Sequence, residues 1–152
     1  MRLFFVVLTK PLGESSAVHI TKENNIIGDK TFREDELTVF ELKKLMWKEL
    51  KGNEDGSNET NRWTLWKVED FIEGGKEWLA LENTEDNSIE TYIRNELKGN
   101  KLTSAMGLRK HVFPSDPPEG MIHIIVQQSA PATTGKCLPM VYLSNKKFCN
   151  DN

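Results

Sequence analysis

The side chains best suited to nucleophilic or metal chemistry are three histidines and two cysteines, and their spacing gives them little to do together. His19, His111 and His123 stand far apart in the sequence. No Cys-x-x-Cys or His-x-x-x-His step joins Cys137 or Cys149 to any of them, as a zinc site would need. One segment approaches a phosphate-binding loop: residues 130–137 read Ala-Pro-Ala-Thr-Thr-Gly-Lys-Cys directly after an apolar stretch. That chemistry requires a first glycine for close backbone approach and a hydroxyl for magnesium. Ala130 and Cys137 occupy those places, so only Gly135 and Lys136 fit. No Gly-x-Ser-x-Gly elbow and no His-Glu-x-x-His pair is present. The expectation is a chain without catalytic residues, metal or cofactor.

Two other features bear on function. Phe40 and Trp47, seven residues apart, form an aromatic shoulder that reads either as extra core or as a partner-binding edge. Asn58-Glu59-Thr60 is a glycosylation sequon, which matters only in a chain that crosses a secretory lumen.

These residues need elements to position them. Residues 2–9 are apolar, β-branched and aromatic, and read as a first strand; residues 16–21 alternate as a short partner strand. Residues 22–36 are polar and read as a loop, anchored to the body by Ile26, Ile27 and Phe32. Thr38-x-x-Glu41 is a capping box. After it Val39, Leu42, Met46 and Leu50 recur at helical steps, with Leu45 widening the stripe and Gly52 as the C-cap. Residues 52–61 read as an exposed loop and residues 63–68 as a strand. Residues 77–81 are expected to form a further short strand. Residues 88–97 suit a helix, with Ser88 as cap and Ile89, Ile93 and Leu97 along one face. Residues 101–111 are amphipathic and ambiguous. Pro114, Pro117 and Pro118 lead rigidly into a last strand at residues 121–127.

A helix between a first hairpin and later strands is the ubiquitin-like β-grasp arrangement. The expected class is therefore α+β: a mixed sheet with one main helix packed on it, plus a helical insertion before the last strand. The first and last strands should pair centrally and in parallel, closing a two-layer core beneath the helix. After Gln128 the pattern is lost, which suggests a domain at 1–131 and an irregular tail at 132–152.

Composition narrows the function classes. With 152 residues the chain is one domain in size. A net charge of -3 argues against binding nucleic acid by phosphate neutralisation. No apolar run approaches the ~18 residues of a membrane span. The N-terminal run Leu3-Phe4-Phe5-Val6-Val7-Leu8 is shorter than a signal-peptide core and lacks a small-x-small cleavage site, so a buried strand is the stronger reading.

Taken in order, these elements resemble the N-terminal domain of the Crinkler effector family, from Leu3 to Pro131. The resemblance rests on the apolar first strand, the helix LTVFELKKLMWKEL and the strand LWKVED. It rests above all on the closing strand, where Ile122-His123-Ile124-Ile125-Val126 precedes Pro131. The segment KLTSAMGLRK is similar to fungal-type members. Where the family carries a Leu-Phe-Leu-Ala-Lys signature this chain has Leu65-Trp66-Lys67-Val68, sharing the leucine and an aromatic. The resemblance implies a ubiquitin-like N-terminal domain without catalytic activity, secreted and delivered into host cells, often to the host nucleus, and acting on host proteins. It also implies that effector activity resides in a variable C-terminal domain, for which the 21 residues after Pro131 leave no room. An intracellular ubiquitin-like adaptor using the Phe40–Trp47 shoulder is the competing reading.

Overall fold

Apolar segments from opposite ends of the chain meet at the centre of one sheet. The computed structural model describes residues 1–9, 12–52 and 57–129. Its elements begin with β1 (Arg2–Val7), β2 (Ser16–His19), β3 (Asn25–Ile27), β4 (Lys30–Phe32) and helix α1 (Val39–Lys51). A single turn, α2 (Ser57–Thr60), and the long strand β5 (Trp63–Phe71) follow. Next come helices α3 (Lys76–Glu82) and α4 (Ile89–Glu96), strand β6 (Asn100–Leu102), one turn of π-helix at Leu108–Val112, and β7 (Ile122–Gln128).

The five-stranded sheet has the order β2-β1-β7-β5-β6. β1 and β7 pair in parallel, Phe5 opposite Ile124 and Val7 opposite Val126, and the other pairings are antiparallel. The protein is thus α+β with a mixed sheet whose first and last strands lie side by side, compatible with a β-grasp.

Local chemistry explains α1. The Glu41 carboxylate accepts from the Thr38 N–H at 2.8 Å and from its hydroxyl, closing the capping box. The first two amides of the helix, at Val39 and Phe40, donate to the carbonyls of Met106 and Ser104, so the far segment ties down the helix start. Gly52, at φ 75°, takes the left-handed C-terminal position that a side chain disfavours. Val39, Leu42, Leu45 and Met46 are buried, whereas Leu50 is exposed: the last turn of the helix runs past the sheet.

The sheet is apolar on both faces. Trp63 and Leu65 belong to the core beneath α1, together with Leu3, Phe5, Ile124 and Val126. Their neighbours Trp66, Val68, Val6 and Ile125 belong to a second core, with Trp78 and Leu81 of α3 and Ile89 and Ile93 of α4. Adjacent strand residues point to opposite faces, so α1 covers one side and α3–α4 the other. The expected two-layer core becomes a sheet between two helical layers.

Several local readings are corrected. Residues 77–81 are helical: Trp78 and Leu81, three apart, are buried while Leu79 is exposed, a helical period. The strand expected there is β6, after α4. The expected loop at 22–36 contains the β3–β4 hairpin. Buried Asn25 holds its start by donating to Thr21 O and Phe32 O and accepting from Thr21 N–H. Ile27 and Phe32 pack on the core, but Ile26 is exposed. The loop expected at 52–61 includes the turn α2. Ser88 does not cap α4 through its side chain; a 3-10 turn at Asp86–Ser88 feeds directly into that helix.

Candidate functional site

The residues singled out by sequence fall into three places. Leu65, Trp66, Lys67 and Val68 lie in β5, and the first three pair with both β7 and β6. Three of those side chains are buried. Trp66 donates its indole N–H to Gln127 Oε1 at 2.9 Å. The Arg94 guanidinium and the Lys101 ammonium lie 4.9 and 5.5 Å from its ring centroids, sealing the indole with two cations. Lys67 alone reaches outward, donating to Val112 O at 2.7 Å with its ammonium over the Phe113 ring.

The closing strand is equally interior. Ile122, Ile124, Ile125 and Val126 are buried on the two faces, and His123 retains only 4% of its surface. A strand imidazole is by default exposed or half-buried, so this burial is a finding of the structure. Pro131 lies outside the described residues, as do Gly135, Lys136, Cys137 and Cys149.

The aromatic shoulder separates into two environments. Trp47 is half-buried, packs on the α1-side core and meets Trp63 with ring centroids 5.9 Å apart. Phe40 is 42% exposed, with the Lys44 ammonium 5.0 Å from its ring. Asn58 is exposed on α2 while Thr60 of the sequon is buried. Lys43 is buried on α1 and donates to Ser104 Oγ; burial lowers its pKa.

A groove of about 330 Å³ opens beside the shift in the β5–β7 pairing, a feature with no counterpart among the sequence signals. The pairing shifts register between Lys67 and Phe71, and Asp70 sits in this bulge at φ 54°, a left-handed conformation uncommon outside glycine. Lys67, Asp70, Phe113, Asp116, Pro118 and His123 are among the residues that line it. Nearby, Arg109 binds Glu34 Oε1 at 3.1 Å, Phe113 O at 3.1 Å and the Asp116 carboxylate. Hydrogen bonds to Glu34 and then to Asp116 raise the Arg109 pKa, and the bond from Arg109 lowers that of Asp116. The prolines here predict a rigid turn, but a bulge and an ion-pair cluster leave no sequence period.

Several groups of this constellation bind one another. Both nitrogens of His123 are engaged within the fold, at Phe4 N–H and Pro118 O. Among the described residues, no group of three or more His, Cys, Asp or Glu side chains is placed to hold a metal, and no helix is long and apolar enough to cross a membrane.

Comparison with known proteins gives one result. The family model described as Crinkler effector protein N-terminal domain matches residues 1–127. No curated protein and no solved structure matches the chain. The matched span runs from the start of β1 into β7 and so takes in every strand of the sheet. The chain belongs to the Crinkler effector family, through its N-terminal domain.

Proposed function

We propose that this chain is the non-catalytic N-terminal domain of a Crinkler-type effector: a ubiquitin-like β-grasp domain that is secreted, enters host cells and acts there through protein contacts. The family match across the whole sheet carries this reading. The strand order, with the first and last strands parallel at the centre and α1 across one face, supports the β-grasp assignment. In this reading the folded domain is 1–131 and the tail 132–152, the destination includes the host nucleus, and the partners are host proteins rather than nucleic acid. The burial of Leu65, Trp66 and Val68 bears on delivery. While the domain is folded those side chains are closed to a receptor, so they serve as scaffold and the folded surface is what partners meet.

Following a tagged chain from the producing organism into host cells tests this. Signal inside host cells is expected; complete retention in the producer contradicts the proposal. The second reading, an intracellular adaptor, is favoured by one observation, the exposure of Phe40 beside Lys44. Partner capture with Phe40→Ala separates the two: loss of the partner places the contact at α1, and undiminished capture removes that face.

A further inference from the structure

His123 holds three parts of the molecule at one point, and the direction of each hydrogen bond is fixed. Its Nε2 lies 2.6 Å from Pro118 O, an atom that can only accept, so Nε2 carries the proton. Its Nδ1 accepts from the Phe4 N–H at 3.1 Å, so Nδ1 carries none. The ring packs against Phe4 at 5.9 Å and Phe113 at 6.3 Å between centroids. It thereby joins β1 to β7 and to the proline-containing segment 113–121. The ring also lines the groove at the β5 bulge, which gives water and protons a path to it.

We propose that His123 is an acid-sensitive latch: a second ring proton, taken up at Nδ1, breaks the tie to Phe4 and loosens this end of the sheet. Protonation turns Nδ1 from acceptor to donor while it faces another donor, so the two N–H groups must separate. The charged surroundings come from three elements. Arg2 on β1 lies over Phe4, and Lys67 on β5 lies over Phe113. Glu69 and Asp70 on β5 and Asp116 on the 113–121 segment line the groove, and the Asp116 carboxylate is already engaged by Arg109. The carboxylates allow a proton to approach, but none of these groups supplies the Phe4 N–H with a replacement acceptor.

The linkage has a definite sign. The neutral ring makes both bonds, whereas a doubly protonated ring can keep only the one to Pro118 O. Acid should therefore weaken this tie. Amide hydrogen exchange on the unaltered protein reads this directly. The Leu8 N–H, donated to Val126 O in the same strand pair, is an internal reference without a histidine. After correction for intrinsic rates, protection at Phe4 relative to Leu8 should fall between pH 7.5 and 5.0. A constant ratio overturns the proposal. In His123→Gln, which retains His19 and His111, the loss of urea midpoint over that pH interval should be smaller than in the parent. An equal loss overturns it; should the variant not fold, the exchange ratio alone decides.

Discussion

The two faces of the sheet are covered in different ways. On one face lies a single 13-residue helix with a capping box, a glycine stop and first amides satisfied by Ser104 and Met106. On the other lie α3 and α4, of seven and eight residues, neither with a capping box. Helices that short are marginal on their own, so α3 and α4 depend on what they bury. That is Trp78, stacked on Phe71 at 5.8 Å, with Leu81, Ile89 and Ile93. One layer is specified locally and then packed; the other forms because it packs. A close approach locks the second layer: a β-carbon at Gly99 would lie 2.5 Å from Ile93 Cγ2, so the turn after α4 admits no side chain there.

Leu42→Asp should have the largest effect. It buries a carboxylate without a partner at a fully buried position and should cost several kcal/mol, enough to unfold a marginal domain. Chemical denaturation checks it, and a tolerated substitution would mean that α1 does not close the core. Ile93→Ala, under α4, should cost about 2–5 kcal/mol. Because both layers grip one sheet, the midpoint should fall within a single transition. A separate early melt of α3–α4 would break the account of a shared sheet.

Thr38→Ala removes the hydroxyl half of the capping box and should cost about 1 kcal/mol, read as a small midpoint shift in urea. The smallest change is expected for Asp116→Asn. The Asp116 carboxyl is held below the usual aspartate range by Arg109, so the pair is formed at neutral pH and is lost as pH falls through that lowered value. With Asp116 exposed to solvent the pair contributes little near pH 7, where the variant should match the parent. A large neutral-pH effect would show Arg109 to be a keystone of the groove.

What is legible in the sequence follows the same division. The capping box, the Val39–Met46 stripe and Gly52 define α1 with local signals, and only Leu50 misleads, because a helix can outrun its sheet. The first and last strands are dense in β-branched residues and pair as their apolarity suggests. The α3 helix is not legible. Trp78-Leu79-Ala80-Leu81 is too short an apolar run to tell period two from 3.6, and tertiary packing decides it. β3 and β4, three residues each, have no period at all and depend on the buried amide of Asn25. The groove is invisible because Asp70 in a left-handed conformation and the burial of His123 arise from a register shift between distant strands.

The central claim is that Leu65 to Val68 and Ile122 to Val126 are the interior of a two-sided sheet and not a displayed peptide. Residue-resolved hydrogen exchange at neutral pH tests it most directly. The amides of β5 and β7 that pair within the sheet should be the slowest in the protein, exchanging only through global unfolding. Exchange there as fast as in the 113–121 segment would contradict the claim.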